Sequence, residues 1–276
     1  MIERTGVPFV KAHAYGNDFL LVRRAAVDAF ADRAALARAV CDRHRGLGAD
    51  GLMIVEPNQV GADTTLLNAD GSPSEVSGNG VRCAAAWLAS ERRTAAGETI
   101  VIGTGAGEKR LTLLSAEDRR WTFRAEMGPP DQLREEVLDV HGASVRAVVL
   151  RVGNPQCVVL GDVTEERLRT IAAALAVHPF FPEGTNVELA RVAAPDRVEI
   201  LIWERGVGPT DASGTGACAA AVAAAAYGGA ARRVRVVSPG GAQEVEWTDR
   251  GLLLTGWAEL LAAVDWWPPS RTVTTR

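Results

Sequence analysis

The hydrophobic and polar positions along the chain predict two successive sets of short strands, each accompanied by helices. The first set contains the strand-like runs DFLLVRR, GLMIVEP, TTLLNAD, ETIVIG, KRLTLL and RWTFRAEM. The second contains AVVLRVG, QCVVLGDV, TNVELARV, DRVEILIWE, RVRVVS, AQEVEW and GLLLTG. Helical patterns fall at ALARAVCDRH and after Gly80 in the first set, and at EERLRTIAAALA and after Gly216 in the second. The pattern therefore predicts two similar halves that mix strands with helices.

A polar, proline-containing stretch separates the two sets of elements. Its sequence, MGPPDQLREEVLDVHGAS, has the composition of a connection. We therefore predict an N-terminal half at residues 1–130 and a C-terminal half at 145–276. A chain of 276 residues suits this division, because domains usually contain roughly 100–200 residues.

The two halves share a glycine-rich turn that opens an alanine-rich helix. The turn is Ser-Gly-Asn-Gly from Ser77 and Ser-Gly-Thr-Gly from Ser213. Glycine allows the backbone to approach a ligand closely, and the first N–H groups of a helix lack intrahelical partners and lie at its positive end. One such turn is ordinary helix capping, since serine is a common N-cap. Two matching turns predict a shared carboxylate-binding site formed by paired helix N-termini.

Composition narrows the class of partner. The net charge of −4, without any dense Lys/Arg block, argues against nucleic acid and anionic membranes and favours a small-molecule ligand.

The first residues show no apolar segment of signal-peptide length, and the longest apolar run is too short to span a bilayer, so we expect a cytoplasmic protein. Four scattered cysteines and four scattered histidines form neither a disulfide framework nor a metal site, and we predict no metal.

Several longer motifs then carry a resemblance to a known family. The strings are HAYGNDFLLV, CDRHRGLGADGLMIVE, NADGSPSEVSGNGVRC, MGPP, VGNPQCVV, FFPEGTNVELARV, WERGVGPTDASGTGACAAA and VSPGG. In their order and spacing they resemble diaminopimelate epimerase through nearly the whole chain. The resemblance implies an α/β (α+β) fold of two pseudo-symmetric domains, each a mixed sheet wrapped around a central helix. It also implies a cofactor-independent isomerase of the lysine and peptidoglycan precursor pathway, with the substrate in a cleft and a homodimer as a possible assembly.

The same resemblance implies which residues bind an amino-acid substrate. The α-carboxylate would meet the backbone at the two helix starts, and the remote amino-acid group would meet six side chains. The backbone positions are Gly78, Asn79, Gly214 and Thr215, and the side chains are Asn17, Asn68, Asn154, Asn186, Glu204 and Arg205. This set is chemically apt, because a zwitterionic group needs a guanidinium for its carboxylate, and a carboxylate with amide oxygens for its ammonium.

The chain departs from the family at the reacting positions. The family transfers the α-proton with two cysteines, one in front of each glycine-rich turn, and Ser77 and Ser213 occupy those catalytic positions here. Cys83 and Cys218 match other, non-reactive cysteines. Gln156 stands where the family usually has histidine, and Pro209 where it usually has glutamate. A thiol near a helix N-terminus becomes a thiolate readily, whereas a hydroxyl needs an adjacent base.

Three interpretations remain open from the sequence. The chain is an epimerase in which both cysteines have been changed, a divergent isomerase that uses other acid–base groups, or a catalytically silent amino-acid-binding protein. In the divergent isomerase, Asp211, two residues before Ser213, is a candidate base, although an acid at a helix start is more often simply solvated. The nature of residues 77 and 213 therefore decides how turnover is explained.

Overall fold

The computed structural model describes residues 6–74 and 77–268, which form two compact units. The first unit takes in the residues up to Phe123 and those from Trp257 onward, and the second spans Arg124–Gly256. The chain therefore leaves the first unit, builds the second, and returns.

The first unit is a mixed sheet with two α-helices. Its strands are β1 (Val7–Ala14), β2 (Asn17–Arg23), β3 (Gly51–Pro57), β4 (Gly61–Asn68), β5 (Pro73–Ser74), β6 (Thr99–Thr104), β7 (Gly107–Glu117) and the beginning of β8 (Arg120–Gly128). Its helical segments are a 3₁₀ turn (Arg24–Val27), α1 (Arg33–Cys41) and α2 (Gly78–Arg92). Strand β3 pairs parallel to β2 and antiparallel to β4, and β4 pairs parallel to β6.

The second unit repeats this arrangement. Its strands are β9 (Asp131–Val140), β10 (Ala143–Val152), β11 (Asn154–Leu160), β12 (Asn186–Ala194), β13 (Arg197–Glu204), β14 (Gly208–Thr210), β15 (Arg233–Ser238), β16 (Gly241–Thr248) and the beginning of β17 (Gly251–Trp266). Its helical segments are α3 (Glu165–Arg167), a π-helical turn (Leu168–Ala172), α4 (Ala173–Ala176) and α5 (Gly214–Tyr227). Strand β12 pairs parallel to β11 and antiparallel to β13, and β13 pairs parallel to β15.

Helix α5 is the centre of the second unit's core. Every residue from Gly216 to Ala224 is buried, and the alanines pack against inward-facing strand residues such as Val158, Ala190 and Ile202. A helix that is apolar on all sides must be surrounded by protein, and small side chains let strands approach it closely. Helix α2 has the same role in the first unit, with Asn79 to Ala89 buried. This confirms the predicted pair of mixed sheets around central helices.

The strands are buried on both faces because each sheet has a second helical layer. In the first unit, Leu20 and Leu52 pack against Leu36 of α1 in one cluster. In the second, Val187 and Leu189 pack with Leu168 and Leu175 of the α3–α4 segment. Strands covered on both faces read as nearly continuous hydrophobic runs, which explains GLMIVEP and QCVVLGDV.

Two features differ from the sequence analysis. The stretch predicted to be a connection instead contains strand β9 and the first residues of β10, while the rest of β10 lies in the predicted strand AVVLRVG. Strands β9 and β10 pair antiparallel from Val140–Ala143 to Asp131–Arg151, with a register shift between Val149 and Arg151. Most charged residues of β9 are exposed, and only Leu138 and Val140 of this strand are buried, so the strand resembles a polar loop in the sequence. The compact units also divide the chain differently from the halves 1–130 and 145–276, because β17 pairs with β1. Those halves remain a proposal about the internal repeat.

No helix in the described ranges, 6–74 and 77–268, is long and apolar enough to cross a membrane. The four cysteines are all buried and unbonded to one another, as the sequence analysis expected.

Candidate active site

Ser77 and Ser213 both serve as helix N-caps. Ser77 and Ser213 have closely similar extended backbone conformations, with φ,ψ of −130°,119° and −137°,130°. Each hydroxyl oxygen accepts a hydrogen bond from the backbone N–H three residues on, from Gly80 and Gly216 respectively, at 3.2 Å. The two helix starts are therefore locally equivalent. Each presents the positive end of a buried helix beside a partly buried hydroxyl.

In the first unit, the predicted amide side chain of Asn17 lies next to this helix start. Asn79 is buried and donates from its side-chain amide to Oδ1 of Asn17 at 3.3 Å. Asn17, at the beginning of β2, in turn donates to Asp50 at 2.7 Å. Asn68 ends β4, exposed, with its amide donating to the hydroxyl of Ser72 at 2.9 Å. Asn17 and Asn68 lie at the same edge of the sheet, because β2 and β3 begin there while β4 ends there.

An ion-pair network holds that edge in place. Arg43 donates to both Asp18 and Asp50 at 2.8 Å, and Lys11 lies 2.5 Å from Asp18. Burial raises the pKa of Asp18, but hydrogen bonds and charge interactions with Arg43 and Lys11 outweigh burial and lower the pKa to about 2. Asp18 therefore stays ionised at neutral pH and anchors the segment that carries Asn17. The sequence analysis missed this network, because its members are far apart along the chain.

In the second unit, the predicted polar residues also gather at one sheet edge. Asn154 begins β11, Asn186 begins β12, and Glu204 ends β13. Gln156, fully buried, donates from its amide to Oδ1 of Asn154 at 2.6 Å. The Oδ1 atom of Asn186 accepts from the backbone N–H of Arg205 at 2.9 Å, so the asparagine orders the turn after β13.

The two charged members of this group have different surroundings. Arg205 is exposed, and its guanidinium donates to the carbonyl of Glu183 at 2.9 Å. Glu204 is only partly exposed, and burial raises its pKa. A carboxyl and a guanidinium at neighbouring positions provide a site for opposite charges of one ligand.

At the start of α5, the first residues are near one another and near Ser213. Gly214 is buried, and the hydroxyl of Thr215 lies 3.4 Å from that of Ser213. Gly78, the equivalent of Gly214, is exposed, and among the described residues outside its own helix turn no atom lies within 4 Å of the position where a side chain would begin. The structure thus brings together Ser77, Gly78, Asn79 and Asn17 in one unit. In the other unit it brings together Ser213 with Thr215, Asn154 with Gln156, and Asn186 with Arg205.

The sequence analysis did not identify one acidic residue of the second unit, Glu188. Glu188, on β12, is completely buried, and neither of its carboxyl oxygens has a hydrogen-bond partner among the described residues. Burial, with a smaller contribution from the charge of Glu204, raises its pKa to about 8, although its own backbone N–H acts in the opposite direction. The sequence feature that could have identified Glu188 is a charged residue inside the otherwise apolar run VELA, in a strand that is buried on both faces.

Other candidates for proton transfer are placed less favourably. Asp211 is exposed, and its backbone carbonyl accepts from Gly240. Burial raises the pKa of Cys83 to about 12 and also raises that of Cys157, which keeps both thiols protonated. Pro209 lies exposed on β14 opposite Trp203 and has no acid–base group. Glu188, in contrast, lies beside Gly216 at the start of α5.

Comparison with known proteins gives a consistent result. The sequence matches the family model described as diaminopimelate epimerase over residues 9–133 and 148–261. A diaminopimelate epimerase from Desulforudis audaxviator (strain MP104C) is 42% identical over 257 residues, covering 87% of this chain and 91% of the relative. One from Microcystis aeruginosa (strain NIES-843 / IAM M-2473) is 38% identical over 271 residues, covering 91% and 95%.

Solved structures share the fold at lower sequence identity. A predicted epimerase from Pseudomonas aeruginosa superposes with a TM-score of 0.72 at 16% identity, covering 95% of this chain and all 100% of the other. A probable proline racemase from Agrobacterium radiobacter K84 superposes with a TM-score of 0.69 at 16% identity, covering 94% and 92%. These similarities bear out the predicted two-domain architecture.

The raised pKa of Glu188 predicts a specific pH dependence of stability. Between about pH 4.5 and 8 the folded chain keeps a proton on Glu188 that the unfolded chain has released, so stability falls as pH rises through this window. Glu188→Gln should remove that decline, which is at most about 1.4 kcal/mol per pH unit. Urea denaturation at a series of pH values measures it. Glu199→Gln, which removes a carboxylate paired with Arg191 on the sheet surface, is the control and should keep the wild-type slope. Parallel curves for wild type and Glu188→Gln would contradict the raised pKa.

Proposed function

The chain belongs to the diaminopimelate epimerase family, and we propose that it binds a diamino dicarboxylic amino acid and acts at the ligand's α-carbon. The family makes it a PLP-independent isomerase, and its curated relatives are named diaminopimelate epimerase. We assign it to the lysine and peptidoglycan precursor pathway. A cytoplasmic location and a homodimeric assembly are parts of the same proposal.

The observation that carries the proposal is the pair of equivalent helix starts. Backbone N–H groups at the first turn of a helix favour a bound carboxylate through hydrogen bonds and through the helix dipole. We propose that the backbone at Gly78 and Asn79, and at Gly214 and Thr215, binds the α-carboxylate of the substrate. Binding there also stabilises the carbanion that forms when the α-proton leaves, because negative charge spreads onto the carboxylate during that step.

The remote end of the ligand needs a different set of groups. We propose that Arg205 binds the distal carboxylate, and that Glu204 and the amide oxygens of the asparagines bind the distal ammonium. The asparagines are Asn17, Asn68, Asn154 and Asn186. Several of these amides already hold fixed orientations through bonds to Asp50, Ser72, Gln156 and the Arg205 backbone. Groups oriented before binding lose less entropy when the ligand arrives.

The two serines limit turnover. In each hydroxyl the oxygen already accepts a bond from a backbone N–H, and a hydroxyl removes a carbon-bound proton only when a neighbouring base takes its own proton. Proton transfer at Ser77 and Ser213 is therefore expected to be much slower than with the family's two thiols. Divergence to another small amino-acid-derived substrate is compatible with the same binding groups.

A catalytically silent amino-acid-binding protein is the second candidate function. The observation in its favour is that several positions near the reacting centre have changed together. Both cysteines are serine, Gln156 replaces the usual histidine, and Pro209 replaces the usual glutamate. In this alternative the helix starts and the distal polar groups bind the ligand, and α-proton exchange is absent.

Binding at the distal end is tested by Arg205→Ala. Removing the guanidinium leaves the ligand's carboxylate without its charged partner, which should weaken binding of diaminopimelate by about 2–5 kcal/mol, as for a desolvated charge pair that loses one member. Isothermal titration calorimetry measures the change. Arg232→Ala, which removes an exposed arginine paired with Asp249 in the same unit, is the control and should bind as the wild type does. Unchanged affinity in Arg205→Ala would locate the ligand elsewhere.

Restoring both thiols tests the reaction. The double variant Ser77→Cys with Ser213→Cys should accelerate exchange of the substrate α-proton with deuterated water, because helix N-termini lower thiol pKa values. Proton NMR of diaminopimelate follows the exchange. Each single variant should restore much less epimerisation, since inversion needs one group on each face of the α-carbon. A double variant that binds ligand and stays inert would reject the epimerase mechanism in favour of the binding protein.

A further inference from the structure

Glu188 and Ser213 both lie beside Gly216, at the start of α5. A methyl group built on Gly216 would lie 2.5 Å from Oε1 of Glu188 and 3.3 Å from Cβ of Ser213. Both side chains therefore border the same point, which only a glycine leaves open. The Ser213 oxygen accepts from the Gly216 N–H, and the hydroxyl group can donate its own proton to Thr215, 3.4 Å away, or turn it to another acceptor.

The internal repeat offers a matched comparison in the first unit. Leu21 pairs with Met53 between β2 and β3, just as Val158 pairs with Glu188 between β11 and β12, so Met53 and Glu188 are equivalent. The helix glycine confirms the equivalence. A methyl group on Gly80 would lie 2.7 Å from Cε of Met53 and 3.3 Å from the ring of Phe19.

The comparison shows a difference in chemistry at one position. The surroundings of Gly80 are apolar, whereas those of Gly216 contain a carboxyl group. A thioether cannot take up a proton under these conditions, and a carboxyl group can. The two serine N-caps are alike in backbone geometry and differ in this neighbour.

The position of Glu188 is costly for the fold. Burying a polar group without a hydrogen bond costs free energy, and native proteins satisfy nearly all such groups. Methionine at the equivalent position of the first unit shows that the fold accepts an apolar residue there. Glu188 thus replaces a residue that would pack without this cost, which points to a chemical role.

We infer that Glu188 accepts and returns the hydroxyl proton of Ser213, and so gives the second helix start the base that a serine requires. This inference rests on the proposed function. In the forward step, the Oγ atom of Ser213 takes the α-proton, the Oγ–H bond breaks, and its proton passes to the Glu188 carboxylate. The electron pair of the broken C–H bond remains on the α-carbon, and the reverse transfers return a proton to it.

Glu188 acts through Ser213 and is therefore a positioning residue rather than a catalytic one. The ionisable groups that face it are Glu204 from β13 and Cys157 from β11, and α5 has no acidic residue in its first turn. With its pKa near 8, Glu188 changes protonation state close to neutral pH, as an acid–base group should. Exchange should therefore rise with pH through about 8, as the carboxylate forms.

The first arm of the test needs no substrate. Iodoacetamide is used to alkylate the thiol introduced by Ser213→Cys, first in the single variant and then in the double variant that also carries Glu188→Gln. Loss of an adjacent carboxylate lowers the thiol pKa, so the Glu188→Gln background should speed alkylation by about tenfold above pH 8, before the thiol is fully ionised. The native cysteines are buried, and wild-type protein supplies their background rate. Ser77→Cys, with and without Glu188→Gln, is the control and should show no change.

The second arm measures α-proton exchange of diaminopimelate in deuterated water across pH. Glu188→Gln should slow exchange at least tenfold and abolish the rise through pH 8, with unchanged ligand affinity by calorimetry. Glu188→Met places at this position the residue found at the equivalent position of the first unit, Met53. It controls for a folding defect caused by the buried glutamine amide, and it should slow exchange as Glu188→Gln does. Glu199→Gln should exchange as the wild type does.

The outcomes separate the two proposals. Alkylation of the introduced thiol that is insensitive to Glu188→Gln overturns the pairing, whatever the ligand. Ligand binding without wild-type exchange, or exchange that Glu188→Gln leaves intact, overturns the proton transfer. Absence of ligand binding rejects the proposed function and, with it, the role of Glu188 in proton transfer. In that case the alkylation rates still show whether the side chains at positions 188 and 213 interact. Coupled alkylation together with a pH-dependent loss of exchange supports the inference.

Discussion

The close approach of each central helix to its sheet is the constraint on which the candidate site depends. At Gly80 and Gly216, any side chain would collide with strand residues beneath the helix start. The serine N-cap, three residues earlier, closes the first turn by accepting the glycine N–H. Glycine and serine together therefore bring a positive helix end, a hydroxyl and the strand side chains into one small volume. With any larger residue, the end of the Met53 or Glu188 side chain would have to shift to make room.

This constraint explains how one local structure supports different chemistry in the two units. The backbone arrangement is repeated, and the side chains beneath it are not. In the first unit they are Met53 and Phe19, while the equivalent positions of the second are Glu188 and Gln156. A repeat that has kept its helix starts while changing what lies below them can retain carboxylate binding and alter proton transfer.

The sequence predicted the repeat well because it depends on local patterns. Alternating strands, alanine-rich helices and Ser-Gly-x-Gly turns are all read from neighbouring residues, and the structure confirms them. Strand β9 was misassigned, because its exposed charges resemble a polar connection. Glu188 was missed because its significance comes from complete burial and from the glycine of a distant helix. Burial and contacts between distant residues are visible only in the three-dimensional structure. The sequence analysis missed the network of Asp18, Asp50 and Arg43 for the same reason.

Carboxylate binding at both helix starts is the central claim, and backbone amide NMR tests it most directly. The full chain, labelled with ¹⁵N, is titrated with diaminopimelate while the amide signals of Gly78, Asn79, Gly214 and Thr215 are followed. If one carboxylate binds at both helix starts, as we propose, all four signals should shift with one shared dissociation constant. Saturating ligand that leaves these amides unshifted, or that shifts those of only one helix start, would contradict it.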